Sequence, residues 1–426
     1  MKEAYKLFHE GVLHFTEMQY DGICINTQLL ESSLSEAKTK FAHLEKEVQG
    51  LEWLQNVDYT SNIKLAMAII RAFRINLPTT EKGNYRVDKH TLSKLKKVKG
   101  IDSLLALGKH KKIIDVLELL KKETTDGFCH PSINLHMVRS YRSSSSDPNF
   151  QNMPIRDPQQ GKIIRSCIIP RSPNNHIIEI DYSGLEVYIA YCHHKDPVMK
   201  EYLENPATDM HRDNACGLFF LQPQAVTKAI RFHAKSGFTF PAFYGSYYEK
   251  MAPALWESIQ ELELVQHMKS KNINHLRDFK KHVKAFENIF WNTKFKVYTA
   301  WKKQNWERYQ QALEIHYKTG FQCRGVLRRN QVNNFPIQGS GFHVNLWSVI
   351  TLRKELKRHR MGAKVIGQIH DSILADVPTD EKDDYIALAK DITQVRTRQR
   401  FPWINIDLKV DVDYAPMGKS WYEKGE

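Results

Sequence analysis

The sequence predicts an α+β fold, and two observations carry that reading. Apolar strand-like runs are confined to two separated regions, residues 126–196 and the mixed stretch after Gly320, with helical patterns before the first and between the two. Strands and helices segregated in this way, with no regular βαβ alternation, mark an α+β chain. The 426 residues suffice for two or three core-forming units, or one large domain with subdomains.

The first 125 residues are helical and Lys-rich, and in "HTLSKLKKVKGIDSLLALGKHKK" the cations Lys94, Lys96, Lys97, Lys99, Lys109, Lys111 and Lys112 flank apolar positions. Such a run is either a solvated helix face or a set of phosphate contacts. Next comes "RSYRSSSSDPNFQNMPIR", where serines, asparagines and Asp-Pro oppose a helix because their side chains compete for the backbone. The flanking Arg139, Arg142 and Arg156 favour an ordered loop that reaches something polar over a flexible linker.

The chain carries 62 Lys and Arg against 48 Asp and Glu, a formal +14, with a pI near 9.3. That surface suits polyanions. No run approaches the length of a membrane span and the N-terminus lacks a signal-like apolar core, so a soluble cytoplasmic protein is expected. Six scattered cysteines with no C-x-x-C pair exclude a zinc ribbon and a disulfide framework, and predict reduced, mostly buried thiols.

In "IIEIDYSGLEVYIAYC" an apolar strand ends on Asp181, and a helical pattern of Leu185, Ile189 and Cys192 follows. Ser183 and Glu186 have the spacing of a capping box. A second acid, Asp371, sits at the His370-Asp371-Ser372 turn between two short strands in "GAKVIGQIHDSILADVP". Two carboxylates on adjacent strand ends would suit Mg²⁺, which takes one or two carboxylates plus water and phosphate oxygens. A closely spaced ion pair there would serve phosphoryl or nucleotidyl transfer. Between the acids, "RFHAKSGFTFPAFYGS" sets Arg231 and Lys235 four apart on one helix face, able to clamp a triphosphate, with aromatics after them on which a base could stack.

These segments carry a resemblance. "DYSGLE", the stretch from Arg231 to Gly245 and "QIHDS" resemble the first acidic motif, the nucleotide-binding helix and the second acidic motif of family A DNA polymerases, the polymerase I-like group, and especially its bacteriophage members. "RSSSSDPNFQNMPIR", "NNFPIQGSGFH" and "DMHRDNACGLF" are similar to three further family segments. The resemblance implies a right-hand fold: N-terminal segment and helical thumb in residues 1–125, palm in 126–196 and 326–426 with an antiparallel sheet, and helical fingers in 197–325.

The resemblance also implies site roles. Asp181 and Asp371, with the carbonyl of Tyr182, would hold two Mg²⁺ ions while a primer 3′ hydroxyl attacks the α-phosphate of a dNTP. Arg231, Lys235 and His211 would bind the triphosphate, with Lys235 donating a proton to the leaving group. Glu186 would crowd the sugar 2′ position, in competition with its capping role. Phe240 would lie beneath the sugar, with Phe238 the alternative, and Tyr244 would stack at the templating position. Arg142, Gln338, His370 and Asn334 would contact primer-template DNA through minor-groove acceptors shared by all base pairs.

Three departures from the family pattern stand out: Ser372 replaces an acid, Arg329 is offset by one position, and Lys235 to Tyr244 spans nine residues where eight is commoner. An extra residue swings a helical side chain by about 100°, so a broken or bulged helix is expected near Phe238–Ala242. A proofreading nuclease is expected on a separate chain or to have been lost, and a processivity subunit is a further candidate partner. A single-subunit RNA polymerase and an inactive template-primer binding protein are the rival readings.

Overall fold

Four antiparallel strands form the floor on which the rest is built. The computed structural model describes residues 2–80, 83–95, 98–154 and 157–425; Lys96, Lys97 and Arg156 lie outside them. The strands are β1 (Asn175–Tyr182), β2 (Lys364–Ile369), β3 (Ser372–Pro378) and β4 (Val410–Tyr414), in the spatial order β4-β1-β3-β2. In β1 the side chains alternate, and near its C-terminal end Ile178, Ile180 and Tyr182 are buried while Glu179 and Asp181 take the other face. The pairing sets Glu179 opposite Asp413 and Asp181 opposite Asp411. One face of the sheet is therefore apolar, and the other carries its acids along the β1–β4 pair, with Ile177, Ile366 and Leu374 forming an apolar patch beside them.

Helices cover the apolar face and build the walls. Helix α1 (Lys2–Asp21) packs on β2 and joins the core beneath the sheet through Phe15 and Met18. Helices α2 (Thr27–Gln49) and α3 (Ile101–Lys122) pack on each other, burying Leu30, Leu34 and Ala37 against Ile113, Leu117 and Leu120. Asn26 starts α2 by accepting the Leu29 N–H. Of the lysine run, Lys94 pairs with Glu257, Lys109 with Asp157 at 2.9 Å and Lys111 with Asp115 at 2.9 Å, so part of it is spent on ion pairs within the protein.

From β1 the chain enters α4 (Leu185–His194), then α5 (Pro197–Glu204), α6 (Met210–Phe219) and α7 (Lys228–Ala234). After a π-helical turn at Lys235–Thr239 come α8 (Phe240–Phe243), α9 (Tyr248–Glu261), α10 (Leu276–Ile289) and α11 (Lys296–Ala312). This helical block encloses an aromatic core in which Phe238, Phe279, Phe290, Phe295 and Tyr298 are fully buried. Helix α12 (Arg329–Arg358) then runs against α1, α4 and α11, buried along much of its length. The cysteines are all free, four of them buried, as expected. No helix among the described residues is long and apolar enough to cross a membrane.

Close approach of α12 to the Arg142 loop depends on Gly339. A Cβ there would fall 2.3 Å from Tyr317 Cε1 and 2.5 Å from the Ser140 carbonyl oxygen. Backbone cannot step aside, so Gly339→Ala is expected to lower stability by about 1–3 kcal/mol, read as a fall in the urea midpoint. A midpoint unchanged from wild type would show that the helix slides freely.

Candidate active site

The strand pairing brings the two acids together. Ser372 is the register partner of Asp181, and the Tyr182 N–H donates to the Asp371 carbonyl oxygen at 3.3 Å, so the acids occupy neighbouring strand ends. The His370 turn residue adopts φ 54°, and its carbonyl accepts from the Asn345 side chain at 3.0 Å, which pins the hairpin tip to α12. Tyr182 anchors the other strand, its buried hydroxyl bonded to Ser348 at 2.8 Å and to the Thr393 carbonyl at 3.2 Å.

Both carboxyls are held above their ordinary range. Burial, then the negative charge of Glu179, raises Asp181 to about 6. Burial, then Glu186, raises Asp371 to about 7. The nearby cations, Lys424 for Asp181 and Arg142 for Asp371, offset this only in part. A site of buried, mutually repelling hard oxygens favours a divalent cation. No group of three or more His, Cys, Asp or Glu able to hold a metal occurs among the described residues. Two carboxylates are enough for Mg²⁺, which is commonly held by one or two of them with water and substrate oxygens completing the shell.

The capping box expected at Ser183 and Glu186 does not form. Gly184, at φ 74°, is the residue that starts α4, and it offers no side-chain cap. The Ser183 hydroxyl donates instead to Asp411 Oδ2. Glu186 is thereby free to receive Arg142 Nη1 on Oε1 at 3.1 Å and the Tyr244 hydroxyl on Oε2. Position-specific chemistry has replaced capping because glycine alone makes the turn.

A cavity of about 350 Å³ opens beside Asp371. Its palm side presents Arg142, Glu186, His370 and Asp371, and α12 adds Asn334 and Gln338. Across from them stand Phe240 and Tyr244. Asn334 donates to the Tyr244 carbonyl at 3.0 Å, tying the two walls together. The His370 imidazole is depressed by burial and then by Arg142, so it faces the cavity neutral.

Behind Phe240 lies a cationic cluster. Lys235 Nζ is 5.1 Å from the Phe240 ring centre, and the His211 ring meets the same ring edge-on at 5.6 Å. Arg231 Nε pairs with Asp209 Oδ2 at 2.5 Å, and Asp209 also caps α6 through the His211 and Arg212 N–H groups. Burial, then Arg231 and Lys235, lowers His211 to about 4. Its Nδ1 is buried with no hydrogen-bond partner among the described residues. Asp209, through Arg231, is the carboxylate paired with this cluster among the described residues.

The irregular helix is present, with its bulge over Lys235–Thr239, three residues earlier than expected. There the Phe240 N–H reaches back five residues to the Lys235 carbonyl, so the π turn absorbs the extra residue between Lys235 and Tyr244. Thr239 holds the bulge by donating to the Ala234 carbonyl at 3.2 Å and accepting from Asn214 at 2.9 Å. Pro241 falls in the helix that follows, where the missing N–H coincides with an already shifted ladder. Phe238 is fully buried between Phe286 and Phe290, which removes it as an alternative to Phe240.

Sequence reasoning misses the other acids of the palm face. Glu179, Asp411 and Asp413 lie beside Asp181, with Lys424 Nζ 2.6 Å from Glu179 and 3.6 Å from Asp413. The alternation in "VDVDY" is the available signal. Ser372 is buried and donates to the Ile369 carbonyl at 3.1 Å, closing the hairpin. Asp411, on β4, lies across β1 from that position.

A palm-like antiparallel sheet with acids at its strand ends, flanked by a helix pair and a helical block, defines the right-hand class of nucleic-acid polymerase folds. The chain belongs to DNA polymerase family A, whose profile matches residues 27–423. It is 25% identical over 380 residues to DNA polymerase I of Aquifex aeolicus, covering 88% of this chain and 60% of that protein. To DNA polymerase I of Bacillus caldotenax it is 26% identical over 417 residues, 96% of this chain and 44% of the relative. The chain thus spans about half the length of such relatives. In fold it is similar to the POL domain of Pol1 from M. smegmatis, solved in complex with DNA primer-template and dNTP (TM-score 0.79, 19% identity, 98% of this chain and 70% of that one).

Proposed function

We propose that this chain is a DNA-directed DNA polymerase that extends a primer with dNTPs and releases pyrophosphate. The observation that carries the reading is the register of β1 and β3, which pairs Asp181 with Ser372 next to Asp371, at a cavity lined by Asp371 and by Phe240, against which Lys235 and His211 stand. Two Mg²⁺ ions bound by these acids, with help from the Tyr182 carbonyl, would stabilise the attacking and leaving oxygens of an in-line displacement.

The protein's own groups would do the rest. Arg231, on exchanging Asp209 for phosphate, and Lys235 would neutralise the triphosphate, and the partnerless His211 Nδ1 would gain a phosphate oxygen as partner. Lys235 would also protonate the departing pyrophosphate. Phe240 would support the sugar and Tyr244 the templating base. Arg142, Gln338, His370 and Asn334 would read the minor-groove edges common to all base pairs, which suits an enzyme that copies any sequence.

The division into N-terminal segment and thumb (1–125), palm (126–196 and 326–426) and fingers (197–325) belongs to the same proposal. So do cytoplasmic action, a bacteriophage-type kinship and a separate exonuclease or processivity partner; the relatives compared are bacterial. Extension of a primed template with Mg²⁺ and each nucleotide type tests the reading. Extension with dNTPs supports it, extension with NTPs alone indicates an RNA polymerase, and DNA binding without extension indicates an inactive binding protein.

Glu186 sets the choice of sugar in this reading. Its carboxylate is fixed from both sides by Arg142 and Tyr244, which makes it a rigid wall. Glu186→Ala is expected to cut discrimination between dNTP and NTP, the ratio of the two kcat/KM values, by about 10²-fold. A ratio within threefold of wild type would assign the wall to another residue.

A further inference from the structure

The acids along β1 and β4 hold a cation of the protein's own, which the copying chemistry leaves unused. Glu179 and Asp181 are next-but-one neighbours on β1, and the register sets Asp413 and Asp411 opposite them on β4. Register partners share a face and lie about 4.8 Å apart across the pair, and next-but-one residues about 6.8 Å apart along a strand. The four carboxylates therefore form a block on one face, with Asp181 at one corner. Asp411 accepts the Ser183 hydroxyl, and Glu179 and Asp413 make up the outer half.

Lys424 Nζ lies on that outer half, 2.6 Å from Glu179 Oε2 and 3.6 Å from Asp413 Oδ2. The side chains of Lys424 and Glu179 are 18% and 12% exposed, so water and salt screen this contact less than they screen a surface pair. The end of the chain is shaped to bring the ammonium here. Trp421 Nε1 donates to the same Glu179 oxygen at 2.8 Å, and its buried ring stacks on Phe150 at 5.5 Å with the Arg165 guanidinium 3.8 Å from its centre. Ser420 and Glu423 close a capping box on the turn Trp421–Glu423, which fixes the backbone up to the residue before Lys424.

One or two carboxylates are what Mg²⁺ usually takes from a protein. By that measure Glu179 with Asp413 offers as much as Asp181 with Asp371. A divalent ion on the outer pair would stand about 7 Å from Asp181 and repel ions held there. An ammonium answers the same negative charge with three N–H donors and brings no coordination position to share with substrate.

We propose that Lys424 is a positioning residue: by occupying Glu179 and Asp413 it closes the outer half of the acid block to divalent ions and confines them to Asp181 and Asp371. The inference rests on the reading of those two acids as the metal ligands, and it adds a residue that governs where the ions settle.

The test counts Mn²⁺, a paramagnetic stand-in for Mg²⁺ with a like preference for oxygen ligands. Binding to the full chain, without DNA or nucleotide, is followed by electron paramagnetic resonance of the free ion. Lys424→Gln binds about one Mn²⁺ more per chain than wild type. Lys424→Met, which keeps the side-chain length and loses the charge, repeats the gain and serves should the glutamine variant not fold. Lys424→Arg keeps the wild-type count, and the double variant E179Q/K424Q, which removes the acid along with the base, returns to it. Neutral variants that bind no more Mn²⁺ than wild type, or an extra ion that persists in E179Q/K424Q, would each overturn the role of Lys424. The count reads bound metal and not turnover, so a wild type that extends no primer overturns the polymerase reading while the variants still decide this one.

Discussion

Asp371→Asn is expected to abolish primer extension, with kcat reduced at least about 10³-fold, while the fold survives. Asparagine matches aspartate in shape, so the hairpin tip and its bond from Tyr182 to the residue 371 carbonyl are kept. What disappears is one of the two charges that would hold divalent ions. The sign of the stability effect distinguishes this loss from misfolding. Burial and Glu186 raise the folded-state Asp371 carboxyl to about 7, well above the unfolded value near 3.9. Between those values the folded chain holds a proton that the unfolded chain releases, so this group's contribution to stability falls as pH rises from about 4 to 7. At pH 8 the charge works against the fold, and Asp371→Asn should unfold at the same temperature as wild type or higher. Mg²⁺ should raise the wild-type midpoint and leave that of the variant nearly unmoved. A variant that still extends primers at a tenth of the wild-type rate would remove Asp371 from the chemistry.

The largest stability effect is expected at Asp196, which stands 1% exposed at the start of α5. Its Oδ1 accepts the Val198 N–H at 3.0 Å and the Met199 N–H at 3.4 Å, and its Oδ2 accepts the Val297 and Tyr298 N–H groups at 3.1 and 3.0 Å. One carboxylate therefore joins the first turns of two helices that are far apart in sequence. Asp196→Ala leaves four N–H groups without their acceptor in a buried place. The expected loss is about 3–5 kcal/mol, measured by urea denaturation. Asp196→Asn, which keeps one acceptor oxygen, should lose roughly half as much. The effect reaches the cavity, because Tyr298 lines it and stacks on His194 at 4.0 Å. A loss below about 1 kcal/mol for the alanine variant would mean that water replaces the carboxylate without penalty.

Much of this is legible in the residues. The acids at strand ends, the hairpin around His370, the ordered Arg142 loop and the helical irregularity after Lys235 all follow from local rules: where apolar runs stop, where turn residues sit, and how far one extra residue rotates a helix. The failures share a cause. Ser183 and Glu186 have capping-box spacing, yet Gly184 changes the starting residue, and their true partners, Asp411, Arg142 and Tyr244, lie 228, 44 and 58 positions away. The acids of β4 are hidden because a strand's neighbours are set by sheet order, which no single segment encodes. The bulge lies ahead of Pro241, the visible irregularity in the sequence, because the residues that stabilise it are Thr239 and Asn214.

The order of the sheet has a consequence for how the molecule is made. The strand carrying Asp181 is flanked on both sides by strands that leave the ribosome much later, β3 from Ser372 and β4 from Val410, so nascent chains hold one acid long before its neighbours exist. Loop closure over such separations is slow, and until it happens β1 offers two unpaired edges to other chains. Those edges close only when β3 and then β4, the last strand made, take their places on either side.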